Sequence, residues 1–122
     1  MKRLLILSIL LGGSLVPFPM RAVEPSGTIS ASPNPCVIER GQKLCTTHLT
    51  WSSQGVKHAR VYAVTEGSRG REEKEFSASH MCDRCKAPWI EKDTYTFTLY
   101  DYSTGNRGRA LASVTVTGTL AK

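Results

Sequence analysis

A chain of 122 residues, 40% of them apolar and only 7% aromatic, has material for one small domain, and its four cysteines supply the cross-links that so limited a core needs; no second domain is expected within these residues. The formal charge of +6 falls to +3 once Lys2, Arg3 and Arg21 of the N-terminal segment are set aside. The remaining acids and bases are intermixed, which excludes the single-signed basic stripe of a nucleic-acid binder.

The N-terminus opens Met1-Lys2-Arg3 and runs into Leu4-Leu5-Ile6-Leu7-Ser8-Ile9-Leu10-Leu11, broken by Gly12, Gly13 and Pro17 and ending in Met20-Arg21-Ala22. A positive start, a short apolar core and a small closing residue make a secretory signal, residues 1–22, with cleavage expected after Ala22. The apolar run falls well short of the roughly 20 residues of a membrane span. No stable anchor is therefore expected after cleavage, and the first cysteine, Cys36, lies too far along to carry a lipid. The mature chain belongs in the periplasm or outside the cell.

Residues 23–27 read as a short leader into a domain over 28–122. Residues 28–32 alternate as a first strand, stopped by Pro33 and Pro35, which lack backbone donors and belong at a sheet edge or turn. After Cys36-Val37-Ile38 comes a polar turn, 39–43, and then a second strand, 44–51, with Cys45, Thr47, Leu49 and Trp51 on one face. Residues 59–65 form a third strand with small inward residues Ala59, Val61 and Ala63. From Glu66 to Glu75 the composition is charged and glycine-rich, which predicts an exposed loop or a protruding hairpin, followed by a brief edge strand over 75–77. Residues 94–102 and 110–118 make the strongest signal, a β-hairpin. Tyr95, Phe97 and Leu99 face the core, Thr94, Thr96, Thr98 and Tyr100 face outward, and 103–108 supply the turn residues. No helical period appears, and short strands at this spacing predict an all-β sandwich.

The runs Ser32-Pro33-Asn34-Pro35-Cys36, Cys45-Thr46-Thr47 with Trp51 after it, Ala87-Pro88-Trp89-Ile90, Tyr95-Thr96-Phe97-Thr98-Leu99-Tyr100 and Ala112-Ser113-Val114-Thr115-Val116-Thr117-Gly118 resemble, in this order, the bacterial immunoglobulin-like domains of secreted enzymes and surface proteins. The resemblance covers nearly all of the mature chain. It implies an immunoglobulin-like β-sandwich of about seven antiparallel strands, related in architecture to fibronectin type III modules and used as an accessory, spacer or binding unit. It also implies that Tyr95 is a tyrosine corner, its phenol bonded to nearby backbone. The chain departs from the family over 66–85, where a dense run of charge and a Cys-x-x-Cys element stand in place of a shorter connection.

Four cysteines permit three pairings. Cys36 with Cys45 is favoured because the intervening turn brings the first strand's end toward the second strand's start, and the resemblance supports the same pair. Cys82-Asp83-Arg84-Cys85 then remains as a structural staple in an exposed loop. The same spacing serves a redox pair, given a thiolate favoured by a helix N-terminus or a nearby cation, or half a zinc site with His80, Cys82 and Cys85 as donors and His48 or His58 as a fourth. No Gly-x-Ser-x-Gly elbow and no phosphate loop occurs, and Glu72, Glu73 and Glu75 read as solubilising. The expectation is a non-catalytic module, without cofactor, that binds a protein or a cell-envelope glycan. Tyr62, Tyr100 and Tyr102 are its candidate flat contacts, with Arg69, Arg71 and Arg84 of the insertion beside them.

Overall fold

A computed structural model describes residues 24–122, and the expected secretory signal lies outside the described residues. The described residues form eight strands and no helix: β1 (Ser26–Ser32), β2 (Cys36–Ile38), β3 (Cys45–Gln54), β4 (Ala59–Gly67), β5 (Gly70–Ser77), β6 (Met81–Ile90), β7 (Thr94–Asp101) and β8 (Ala110–Leu120). They make two sheets, a three-stranded one ordered β1-β3-β6 and a five-stranded one ordered β2-β8-β7-β4-β5. The fold is an all-β sandwich.

The strongest sequence signal lies at the centre of the larger sheet. β7 buries Tyr95, Phe97 and Leu99 and leaves its alternate residues half-buried on the outer face. It pairs antiparallel with β8 on one side and with β4 on the other. Opposite it, β3 turns Thr47, Leu49 and Trp51 inward, and β4 contributes Ala59, Val61 and Ala63. Those small residues leave room for aromatic rings, so Phe76 packs edge-on against both Trp51 and Phe97 at 5.9 and 5.4 Å. Each large side chain removed from water here stabilises the sandwich by roughly 1.5–3 kcal/mol.

Three features differ from the sequence reading. There are eight described strands rather than about seven, because Pro33 and Pro35 end β1 and let the chain cross to the other sheet, where β2 runs parallel to β8. The charged run takes the hairpin form, one of the two expected, turning at Ser68-Arg69, but its edge strand spans Gly70–Ser77 rather than 75–77 alone. Charge does not prevent pairing at an edge, where it also discourages association with other chains. Finally, Cys82 and Cys85 lie within β6 and not in an exposed loop.

Both cysteine pairs are bridged, Cys36 with Cys45 and Cys82 with Cys85, across Cα separations of 6.0 and 6.1 Å. The first links the five-stranded sheet to the three-stranded one. The second spans a bulge: Leu49 and Trp51 of β3, two apart, oppose Cys85 and Cys82, three apart. Arg84 absorbs the extra residue with a positive φ of 58°, and its N–H donates to Thr50 Oγ1 at 3.1 Å.

Candidate functional site

Three strands cannot cover five. The β4–β5 hairpin therefore extends past β6, and beneath it lies a cleft of about 830 Å³ lined by residues of β4, β5, the end of β6 and the turn leading into β7. Both strands flanking it, β5 and β6, are sheet edges.

Local geometry at the end of β6 builds the apolar part of this cleft. Cys45 and Thr47 oppose Ile90 and Ala87, so Pro88 and Trp89 together face the single residue Thr46 in a second bulge. Proline has no ladder donor and is at home at such an edge irregularity. The bulge turns Trp89 toward the aromatic core, where its ring centroid lies 5.6 Å from Tyr95, 6.0 Å from Phe97 and 6.0 Å from Phe76. Trp89 nonetheless remains 37% exposed, so a packed ring is presented to the cleft.

The polar part comes from the β5 strand and the β6–β7 turn. Glu72 and Lys74 lie opposite Thr65 and Ala63 and so share the inward side of β5 with Phe76; their own ion pair spans 3.7 Å. Across the cleft stand Glu91 and Asp93. Their turn is held by the backbone of Asp93 donating to Glu91, by Gly118 N–H donating to Asp93 O at 3.0 Å, and by Glu91 N–H donating to the Tyr95 phenol oxygen at 2.7 Å. Tyr95 thus makes the phenol-to-backbone contact expected of it. Burial raises the pKa of its phenol, the Glu91 bond working against that rise.

At the hairpin tip the cleft is closed by contact. Arg69 Nη2 donates to Glu91 Oε1 at 2.9 Å, and the Asp93 carboxylate lies against Gly67, where a β-carbon would oblige that side chain to turn aside. Such exposed ion pairs contribute little stability and exchange readily with water or a ligand.

The sequence-selected residues fall in three places. Arg69 and Arg71 line the cleft, with Arg71 also 3.7 Å from Glu66. Arg84 sits apart, in the disulfide-spanned bulge of β6. Tyr62, Tyr100 and Tyr102 gather on the opposite, outer face of the larger sheet, the Tyr62 ring lying 6.1 Å from Tyr100 and stacked at 6.0 Å on Tyr102. Two guanidinium groups lie over these rings, Arg107 at 4.4 and 4.3 Å from Tyr62 and Tyr100, and Arg60 at 4.7 Å from Tyr102. Arg107 also pairs with Glu73 at 3.1 Å, pinning the β7–β8 connection to the sheet. Hydrogen bonds to Tyr102 and Glu73 push its pKa still higher.

Sequence reasoning missed Phe76, Trp89, Lys74, Glu91 and Asp93. The one signal for them was Pro88 inside an otherwise strand-like run. His80, Cys82 and Cys85 do not form a donor set: the two sulfurs are bonded to one another, and among the described residues no three His, Cys, Asp or Glu side chains converge as a metal site would require. The two disulfides fit an oxidising, extracytoplasmic compartment, and no helix among the described residues is long and apolar enough to cross a membrane. No protein-family model, no curated protein and no solved structure matches this chain.

Proposed function

We propose that this chain is an exported, non-catalytic, immunoglobulin-like module that holds a protein or cell-envelope glycan partner in the cleft beneath its β4–β5 hairpin. The observation carrying this reading is Trp89, a ring packed on three aromatic neighbours yet open to a cleft with charged walls. Binding sites combine such an apolar floor with a few fixed polar groups. Export is supported by the positive, apolar N-terminal segment and by the disulfides. The immunoglobulin-like build is supported by the five ordered motifs, the inter-sheet bridge and the Tyr95 contact. A thiol-redox role for Cys82 and Cys85 is the alternative reading: Arg84 and Lys86 supply nearby cations, but the pair sits in an edge strand and not in the strand-to-helix setting of a thioredoxin-type site.

The test is retention of the purified protein on washed cell-envelope fragments. Wild type is expected to be retained saturably, and Trp89→Ala to lose about tenfold or more in affinity while its far-UV spectrum stays the same. Equal retention of the two proteins would count against the cleft, and hydrolysis of any envelope component would count against a non-catalytic role.

A further inference from the structure

The cleft's own chemistry narrows its occupant. We propose that it takes an uncharged, hydroxyl-rich saccharide, one sugar ring lying against Trp89 and Phe76 and its hydroxyls bonding to Lys74, Glu72, Glu91 and Asp93; this rests on the binding-module reading above.

An extended peptide is the natural rival, since both strands at the cleft are sheet edges. Strand addition needs a regular row of backbone donors and acceptors, and neither edge offers one. β6 is interrupted by Pro88, which has no N–H, and by two register shifts, one of them spanned by the Cys82–Cys85 bridge. β5 carries an almost unbroken charged run, Arg71-Glu72-Glu73-Lys74-Glu75, which blunts an edge against pairing. Recognition is thereby left to side chains.

Those side chains suit hydroxyl groups. The lining holds three basic and four acidic side chains, close to electrical balance, which gives a polyanion no net attraction. Carboxylates accept from hydroxyls and the ammonium group donates to them, and a sugar hydroxyl does both at once. A wholly apolar ligand would strip water from these charges with nothing in return. The remaining surface of Trp89 and Phe76 matches the apolar face of a sugar ring, and their aromatic packing fixes them before a ligand arrives. The Tyr95 contact fixes the backbone from which the Glu91 side chain projects. The volume of about 830 Å³ lies within the range of small-ligand sites, enough for a short oligosaccharide.

The experiment titrates the purified, isotope-labelled protein with chitotetraose, cellotetraose and maltotetraose, and in parallel with a heparin tetrasaccharide and a mixture of random decapeptides. Saturable amide shifts at Trp89, Glu72, Lys74 and Glu91 are expected with at least one neutral sugar and with neither control. Because Trp89 packs on Tyr95 and Phe97, Trp89→Ala is accompanied by the surface variants Glu72→Gln and Lys74→Met; each is expected to weaken the same titration, Trp89→Ala by about tenfold or more. Perturbation of Trp89 by the decapeptides or the heparin fragment, and not by the neutral sugars, overturns the saccharide assignment. Should all the neutral sugars fail while retention on envelope still depends on Trp89, the saccharide falls and the binding module stands. Loss of that dependence takes both down.

Discussion

Tyr95 performs two tasks with one side chain. Its ring is 3% exposed and closes the core beneath the cleft, while its phenol oxygen accepts from Glu91 N–H and so fixes the turn that presents Glu91 and Asp93. Replacing it by phenylalanine keeps the ring and deletes the acceptor, leaving a part-buried N–H without a partner, which costs about 1 kcal/mol at neutral pH. The pH dependence has a definite sign. Burial raises the folded-state pKa of this phenol above its unfolded value, so its contribution is whole below the unfolded value near about pH 10 and is lost as pH rises toward the folded one. Urea unfolding of wild type and Tyr95→Phe between about pH 8 and pH 11 checks this. The gap between the two proteins is expected to narrow toward the alkaline end, because only the wild type has this phenol to ionise; a constant gap would show that burial of Tyr95 carries no linkage, and a widening one that folding lowers its pKa instead.

Among the elements, β6 departs furthest from regularity, and it carries both the cleft tryptophan and the local disulfide. Both sulfurs of the Cys82–Cys85 bridge belong to half-buried residues, whereas in the other bridge Cys45 is half-buried and Cys36 fully buried, which leaves a reductant one approachable end instead of two. A mild thiol reductant applied to the native protein should therefore open Cys82–Cys85 first, and mass-mapped alkylation should find both labels there while Cys36–Cys45 stays closed until the protein unfolds. Early labelling of Cys36 or Cys45 would mean that the two sheets part more easily than their packing suggests. The same irregularity explains what could be read from the sequence. Tyr95, Phe97 and Leu99, like Thr47, Leu49 and Trp51, keep a strict period of two because the extra residue of each bulge lies on the partner strand, β6 or β8, and not on β3 or β7. In β6 the buried residues Ala87 and Ile90 lie three apart across a bulge, so alternation fails and the strand is hidden. β5 is legible only at its end: at an edge over a cleft its inward positions Glu72 and Lys74 are charged, and Phe76 alone is left to mark an apolar face. Phe76 and Trp89 meet only through the pairing of whole strands, which no local spacing encodes.

Across the whole molecule, a three-stranded sheet faces a five-stranded one, and Cys36–Cys45 is the covalent tie between them among the described residues. It joins β2 of one sheet to β3 of the other, at a sequence separation of 9 against 3 for Cys82–Cys85. On the chain-entropy estimate the longer loop contributes about 2.5–3 kcal/mol and the shorter about 2 kcal/mol. Cys36 is also wholly buried, so removing its sulfur leaves a small void that adds to the loss, while the half-buried local pair leaves none of consequence. The double variant Cys36→Ala/Cys45→Ala should accordingly lose about 3–4 kcal/mol, and Cys82→Ala/Cys85→Ala about 2 kcal/mol. In a domain of this size each kcal/mol shifts the melting temperature by about 4–8 °C, so the two variants should separate clearly in calorimetry. Both are expected to melt in one cooperative transition, because Leu49 and Trp51 of the smaller sheet and Phe97 and Leu99 of the larger belong to a single buried cluster that neither sheet keeps alone. Equal losses would place the stabilisation in loop closure of any kind rather than in joining the sheets. Two separate transitions in the Cys36→Ala/Cys45→Ala protein would mean that the shared core is too small to couple the sheets without sulfur.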